Sequence, residues 1–244
     1  MRLELPIRIR AAVPGAEFRA AAYLRAACFY QYNCTNYAQR AHLRNKTTAT
    51  WESLETRVAG KDEDYRGVVV LPFIATVARQ PPDSPSAQLI QELFDDLIDR
   101  SVQLPGLAHG EEELVVGSLD VNQGLSLPSE DLVGQLPHDP GCGDAAGRVA
   151  AARGRAYLSN VCVAAAARRR GVARALVAHA LLEAAARGTR HAYVHVAASN
   201  AAAVRLYRAQ CGFSDEQRES EGFARARRRP RRLLLHRALV TEGV

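Results

Sequence analysis

RAYLSNVCV (155–163), RRRGVAR (168–174), ALVAHALLEAAARG (175–188) and HAYVHVA (191–197) lie in the segment from Arg155 to Phe213 that decides the fold. The first and last of these runs are rich in aromatic and β-branched residues, which predicts buried strands. Between them, apolar residues recur at helical spacing and form one stripe: Ala173, Leu176, Val177, Ala180, Leu181 and Ala184. Gly188 is placed to end that helix. The order strand, basic turn, helix, strand predicts an α/β fold.

The turn around Gly171 is a candidate anion site. The first amides of a helix have no intrahelical acceptor, and the helix dipole adds positive potential at that end. Because Gly171 and Ala173 carry little or no side chain, a phosphate or pyrophosphate can approach the backbone closely. The segment contains neither the G-x-G-x-x-G dinucleotide pattern nor the G-x-x-x-x-G-K-[ST] P-loop. We therefore expect anion binding of a different kind.

Two blocks of the sequence resemble a known family. Val161-Cys162-Val163 followed by Arg168-x-x-Gly171-x-Ala173 is similar to the acyl-CoA pyrophosphate loop of the GNAT acyltransferase superfamily, [Q/R]-x-x-G-x-[G/A]. The run from Asn200, which is placed to cap a second helix, to Gly212-Phe213 resembles that family's block N-x-x-A-x-x-[L/F]-Y-x-x-x-G-F. Both blocks stand in the family's order, with a strand and a helix between them.

The resemblance implies one GNAT domain over residues 1–244, with its acetyl-CoA-binding core at 155–213. The implied fold is α/β (α+β), a central mixed, mostly antiparallel sheet flanked by helices, with the cofactor in a V-shaped gap between two central strands. Acetyl-CoA would be the co-substrate, and no metal is implied. The implied cofactor contacts are Val161, Cys162, Val163, Arg168, Arg169, Arg170, Gly171, Val172, Ala173, Arg174, Asn200 and Tyr207.

Tyr207 is the candidate general acid. Seven helical steps separate it from Asn200, which would place both on one face of a regular helix. A phenol with a pKa near 10 stays protonated at neutral pH and can give its proton to the leaving thiolate. By resemblance, a backbone amide near Cys162 or Val163 would polarise the thioester carbonyl. The alternative for Tyr207 is a tyrosine that only packs in the core.

His195, at the end of the second strand, is a candidate base, because its unperturbed pKa is near 6.5. A purely structural histidine is the alternative. An acceptor lysine, with a pKa near 10.4, needs more help from a base than an α-amine with a pKa of about 7.7–8.0. Cys162 as a covalent nucleophile is a further alternative, although no Cys-His-Asp arrangement stands nearby.

In GNAT proteins the first two helices and their connection line the acceptor side, so Tyr30, Tyr32 and Tyr37 are candidates for substrate contact. Packing between the helices is the alternative for these tyrosines. Similarity to plant and algal plastid members implies a protein or peptide acceptor, at an N-terminal α-amine, a lysine or both. It also implies a chloroplast location, with a cytoplasmic one as the alternative. A small-molecule amine acetyltransferase and a non-catalytic acyl-CoA sensor remain rival interpretations.

The composition excludes some classes of protein. The 244 residues carry a net charge of +6, mostly through arginine, and contain no apolar run of the roughly 18–20 residues that a membrane span needs. The five cysteines are odd in number and lack zinc-ligand spacing, which favours free thiols in a reducing compartment. The basic run from Arg225 to Arg232 lacks interleaved aromatic residues, so a solvated turn is favoured over nucleic-acid binding. The sequence does not indicate an oligomeric state.

The rest of the chain predicts further elements from its periodicity. The predicted strands are Leu3–Ile9, Gly67–Ala78, Glu113–Val121 and Leu233–Leu239, and the predicted helices are Glu17–Tyr30, Arg40–Ala59 and Ala87–Arg100. Residues 124–154 are rich in glycine and proline and lack periodicity, which predicts a flexible loop, either a functional flap or a disordered segment. We favour disorder for much of Pro137–Arg153.

Overall fold

The computed structural model describes residues 5–30, 36–78, 82–97, 113–128, 130–135 and 145–239, with only the backbone described at 36–37 and 94–97. Its strands are β1 (Ile7–Ala11), β2 (Val69–Ala78), β3 (Glu113–Gln123), β4 (Arg155–Val163), β5 (His191–Ala197), β6 (Ser214–Arg218) and β7 (Arg232–Ala238). Its α-helices are α1 (Ala16–Phe29), α2 (Asn36–Val58), α3 (Ala87–Leu97), α4 (Ala145–Arg153), α5 (Val172–Ala186), α6 (Ala201–Arg205) and α7 (Glu221–Ala226).

The strands form one sheet in the order β1-β2-β3-β4-β5-β7-β6. The β4–β5 pair is parallel, whereas β1–β2, β5–β7 and β6–β7 are antiparallel. The predicted mixed, mostly antiparallel sheet flanked by helices is therefore confirmed. Parallel pairing of β4 with β5 runs from Arg155↔His191 to Leu158↔Val194, and both strands continue beyond that point.

The chain divides into two compact units. The first unit comprises residues 1–59, 72–119 and 160–176. Helix α1 packs closely against α2, because its buried face is formed mainly by alanines and two large side chains, Phe18 and Leu24. Gly117 in β3 lies under α5: a Cβ at this position would come within 2.7 Å of the Leu176 side chain. Only glycine lets the helix and the strand approach this closely.

The second unit comprises residues 60–71, 120–159 and 177–244. At its centre, Tyr157, Tyr193 and His236 stand directly opposite one another on β4, β5 and β7. The two tyrosine rings stack with centroids 5.0 Å apart, and His236 lies 5.2 Å from Tyr193. Aromatic cross-strand pairs of this kind stabilise a sheet.

Residues 124–135, except the undescribed position 129, form a segment that we call the strap, and its Leu127 and Leu132 pack in the cluster around the two tyrosines of this ring column. The amide of Gly134 donates to the Tyr157 hydroxyl at 3.0 Å, which itself donates to the carbonyl of Leu125 at 2.9 Å. A Cβ on Gly134 would lie 2.4 Å from the Tyr193 ring, so the strap backbone rests directly on the aromatic surface. This part of the predicted flexible loop is therefore anchored by specific contacts.

Two further differences from the predictions concern chain segments of low periodicity. Disorder was predicted for much of Pro137–Arg153, but Ala145–Arg153 forms helix α4, which buries Ala151; residues 136–144 lie outside the described range. The polar stretch after Phe213 forms β6 and α7, neither of which was predicted. Among the described residues, no helix is both long enough and apolar enough to cross a membrane.

Candidate functional site

The predicted anion loop connects β4 to α5 in the first unit. After β4 ends at Val163, a short 3-10 turn at Ala165–Ala167 leads into Arg168–Gly171. Arg169 and Gly171 both have positive φ, +64° and +84°. The first helical hydrogen bond of α5 runs from the amide of Ala175 to the carbonyl of Gly171, so the amides before Ala175 have no intrahelical acceptor. Gly171 is exposed, and a Cβ there would meet no atom within 4 Å.

Two loop arginines fold back on the turn that carries them. Arg168 donates through Nε to the carbonyl of Val163 at 3.1 Å, and its Nη2 lies 3.7 Å from the sulfur of Cys28. Arg170 donates to the carbonyl of Ala166 at 3.4 Å. Both guanidinium groups therefore rigidify the loop in addition to making its surroundings positive. The exposed Arg169 and Arg174 add further positive charge.

The end of β4 departs from regular strand geometry at Asn160, which has a φ of +53°. Asparagine tolerates this left-handed conformation better than most residues, because its short amide side chain can hydrogen-bond locally. Beyond it, Val161 is half-buried, and Cys162 and Val163 are buried. Asn160 was not among the predicted site residues, although an asparagine inside a run of aromatic and β-branched residues was a usable signal.

A cavity of about 260 Å³ lies in the first unit, where the resemblance predicts the acceptor side. Its lining residues come from α1, α2 and the irregular part of β4: Arg25, Tyr30, Lys46, Ala49, Thr50, Ser53, Leu54, Arg57 and Asn160. The ammonium group of Lys46 lies 4.8 Å from the centre of the Tyr30 ring, a cation–π contact. Buried Arg25 donates to the Ser118 hydroxyl at 2.8 Å.

Among the residues that the structure describes, three cations and no carboxylate line this cavity, which we call the acceptor pocket after its predicted role. Of the three predicted tyrosines, Tyr30 lies in the lining, whereas Tyr32 and the side chain of Tyr37 lie outside the described residues. Arg25, Lys46 and Arg57 were missed by the sequence analysis. Their convergence depends on how α1 packs on α2, which no local pattern reveals.

In the second unit, Asn200 caps α6, since its Oδ1 accepts the amide of Ala203 at 3.1 Å. Helix α6 continues into a π-helical turn at Leu206–Gln210, which contains Tyr207. The Tyr207 ring is 5% exposed and meets the Phe213 ring edge-on at 5.8 Å. Asn200 is exposed, so the two side chains have different surroundings.

The π-helical turn lies where this chain has one residue more than the family pattern. Four residues, Arg208 to Cys211, separate Tyr207 from Gly212, whereas the pattern has three. A π turn accommodates one extra residue within a helix, and such turns are frequent at functional sites. The expectation that Asn200 and Tyr207 share one face assumed a regular α-helix, which this turn interrupts.

His195 lies at the edge of the ring column of the second unit. Its ring stacks on Tyr157 at 5.9 Å, and its Nε2 lies 2.7 Å from the carbonyl of Leu132, which identifies Nε2 as the protonated nitrogen. Nδ1 is buried and has no hydrogen-bond partner among the described residues. Burial lowers the pKa of His195. These contacts favour the structural alternative, because a base must reach the proton that it removes.

We expect acid to destabilise the protein through three histidines of the second unit. His191 and His236 are joined by a 3.0 Å nitrogen–nitrogen contact, and burial lowers their pKa values, as it does that of His195. Since the unfolded chain then takes up protons at a higher pH than the folded chain, stability is full above about pH 6.5 and falls below it. Urea unfolding at a series of pH values should show this loss. His236→Gln should make the dependence shallower, and an unchanged slope would exclude these histidines as its origin.

The comparisons with known proteins agree with this architecture. The model of the acetyltransferase (GNAT) family matches residues 84–213. The chain is 36% identical over 228 residues to "GCN5-related N-acetyltransferase 7, chloroplastic" of Arabidopsis thaliana, covering 93% of this chain and 74% of that protein. The crystal structure of the ribosomal-protein-S18-alanine N-acetyltransferase of Escherichia coli superposes with a TM-score of 0.50 at 14% identity, covering 98% of both chains, which shows a shared fold. The chain therefore belongs to the GNAT family of N-acetyltransferases.

Proposed function

We propose that this protein transfers the acetyl group of acetyl-CoA to a protein or peptide amine, with the N-terminal α-amine as the preferred acceptor. Attack of the amine is direct, in a complex that holds both substrates. The observation that carries the choice of acceptor is the acceptor pocket, whose three cations and absence of carboxylates disfavour a polycationic small molecule. Its lining includes Asn160, two residues before Cys162 on the strand that resembles the family's pantetheine-binding strand.

The first unit supplies the cofactor contacts in this proposal. Amides at the start of α5, from Arg169 to Arg174, hold the pyrophosphate, and Gly171 allows it to approach the backbone. The backbone of Val161, Cys162 and Val163 lines the pantetheine arm. One amide at Cys162 or Val163 polarises the thioester carbonyl as negative charge develops on its oxygen.

In this proposal the hydroxyl of Tyr207 gives a proton to the CoA thiolate as the tetrahedral intermediate collapses. Asn200 acts by capping the helix that leads to Tyr207. His195 has no role as a base here, because its Nδ1 is enclosed and its Nε2 is engaged by Leu132. An α-amine, with a pKa of about 7.7–8.0, is partly neutral at physiological pH without a strong base, whereas a lysine is not. This difference supports the N-terminal acceptor.

The C-terminal arginines do not favour nucleic-acid binding, because several of them are paired with carboxylates. Arg229 contacts Glu219 at 2.6 Å and Asp131 at 3.0 Å, and Arg227 contacts Asp131 at 2.9 Å. Arg232 pairs with Glu130. These pairs fix the strap to the basic segment, so the positive charge is largely used within the fold. A plastid location is part of the proposal and rests on the name of the Arabidopsis relative.

The proposal is tested by measuring CoA release from acetyl-CoA with a panel of acceptors. The panel contains peptides with a free N-terminus, the same peptides with a blocked N-terminus and an internal lysine, and spermidine. Each free peptide is made with either Asp or Lys at its second and third positions. We expect turnover on free N-termini, faster for the Asp peptides. Turnover on spermidine alone would establish the small-amine alternative, and acetyl-CoA binding without any turnover would establish the sensor alternative.

A further inference from the structure

Two cysteines and one arginine meet in the first unit beside the anion loop. Cys28 stands near the end of α1, and Cys162 stands in β4. Arg168 Nη2 lies 3.7 Å from the Cys28 sulfur, and the neighbouring Cys162 side chain has the largest effect on the pKa of Cys28, which it lowers. The Cys28 sulfur is also 3.6 Å from the carbonyl of Val163. The acetyl-transfer proposal assigns no role to the thiol of Cys28 or to that of Cys162.

The pair is arranged for redox chemistry. Cys28 is partly exposed and Cys162 is buried, so a small oxidant reaches Cys28 more readily than Cys162. The hydrogen bond from Cys162 and the charge of Arg168 lower the pKa of Cys28 to about 6, against the opposing effect of burial. A cysteine with a neighbouring cation and a low pKa is a thiolate at neutral pH, and the thiolate is the reactive form.

We propose that Cys28 and Cys162 form a redox-active dithiol that hydrogen peroxide converts into an intramolecular disulfide. Cys28 is the residue that reacts first, and Cys162 is the resolving thiol. The site is independent of the acetyl-transfer proposal, since it rests only on the contacts among Cys28, Cys162 and Arg168. None of the described cysteines forms a disulfide in this structure, which corresponds to the reduced state of the site.

The reaction balances in two steps. The Cys28 thiolate attacks one peroxide oxygen, the O–O bond breaks and hydroxide leaves, which gives a sulfenic acid on Cys28. The Cys162 thiol then loses its proton and its sulfur attacks the Cys28 sulfur, which expels a second hydroxide. The two cysteines lose two electrons in total and hydrogen peroxide gains them. The two hydroxides take up the proton of Cys162 and the proton that Cys28 released to solvent on ionising, so two water molecules form. A dithiol reductant reverses the reaction by thiol–disulfide exchange.

Oxidation also changes the charge at the start of the anion loop. The disulfide carries no negative charge, so Arg168 loses its thiolate partner, while its bond to the Val163 carbonyl remains. The new bond would join the end of α1 to β4, two elements that also line the acceptor pocket. The disulfide would therefore join elements of the first unit that lead to the anion loop and line the acceptor pocket, the two parts that the proposed reaction uses.

The test treats the purified, fully reduced protein with hydrogen peroxide, blocks the remaining thiols and maps disulfides by mass spectrometry of peptides. We expect a Cys28–Cys162 linked peptide pair that disappears on reduction. Cys28→Ser and Cys162→Ser should each abolish it, whereas Cys211→Ser, which alters a buried cysteine of the second unit, should not. Mapping covers Cys34 and Cys142 as well, which lie outside the described residues. A bond involving either of them, or no bond to Cys28, would overturn the proposal.

A second measurement does not require the disulfide to form. The rate of alkylation of Cys28 by iodoacetamide, followed by peptide mass spectrometry as a function of pH, should have its midpoint near pH 6 in the reduced wild-type protein. Cys162→Ala and Arg168→Gln should each move that midpoint to higher pH, because each removes a group that stabilises the thiolate. A wild-type midpoint near the ordinary cysteine value of about 8.5 would refute the assigned thiolate.

Discussion

Gly171→Asp is expected to abolish binding of acetyl-CoA while the protein still folds. The substitution places a carboxylate at the start of α5, where the proposed pyrophosphate site lies, and the space around Gly171 is open, so no steric clash obscures the effect. Two like charges 4 Å apart at an effective dielectric constant near 20 repel by about 4 kcal/mol, which corresponds to a loss in affinity of roughly 1,000-fold. Isothermal titration with CoA measures the loss directly.

Two control variants separate charge from backbone strain. Gly171→Asn has nearly the same shape as Gly171→Asp and tolerates positive φ equally well, but it is neutral, so its affinity should lie well above that of the aspartate variant. Gly188→Asp introduces the same residue at the same φ of +84°, also in open space, beyond the other end of α5. It should lose some stability and retain CoA binding. If Gly171→Asp and the wild-type protein bound CoA with equal affinity, the loop would not be part of the cofactor site.

The elements that sequence predicted best are those with strong local patterns. Strand β5 begins and ends where the alternating run His191–Ala197 predicts, and α5 ends before Gly188, which has the expected positive φ. Helices α1 and α2 also occur where apolar periodicity placed them, with boundaries shifted by a few residues. In these segments, local preference and tertiary burial favour the same structure, which makes local patterns sufficient.

The segments that sequence predicted poorly are held by distant side chains. The strap has no hydrophobic periodicity of its own. Its backbone groups are hydrogen-bonded to side chains far along the chain: Val133 to Gln217, Gly134 to Arg155 and Tyr157, and Gln135 to Glu216. Strand β6 is short and polar, and it is paired along β7 with an irregularity between Asp215 and Gln217. Composition alone suggests disorder for such segments, because the compensating contacts are invisible until the fold is known.

Likewise, one part of the candidate site could be predicted from sequence and another could not. The geometry of the loop from Arg168 to Ala173 was predictable, because a glycine in a fixed pattern marks backbone amides that are exposed at a helix start. The acceptor pocket was not, because its charge arises from α1, α2 and Asn160, which are far apart in sequence. The role of His195 could not be predicted from sequence either, because it depends on the hydrogen-bond partners of its two ring nitrogens, which only the structure gives.

Tyr207→Phe is expected to lower kcat by about 100-fold or more, in the range that general acid catalysis contributes, and to raise the Kd for CoA by much less. The phenyl ring keeps its edge-on contact with Phe213 and its place in the π-helical turn, so packing is preserved. The substitution removes the hydroxyl group, so in the proposed mechanism the CoA thiolate would have to leave unprotonated. Stopped-flow or steady-state CoA release, combined with CoA titration, separates the two effects.

Tyr157→Phe provides the matched control, because it deletes the hydroxyl of another buried tyrosine. That hydroxyl is bonded to Gly134 and Leu125 of the strap, so its loss leaves a buried amide and a carbonyl without their partner. We expect Tyr157→Phe to lower the free energy of unfolding by about 1–3 kcal/mol with little change in kcat. If Tyr207→Phe instead lost stability and CoA affinity in proportion to activity, Tyr207 would be a packing residue, and the proton for the leaving thiolate would have to come from another group.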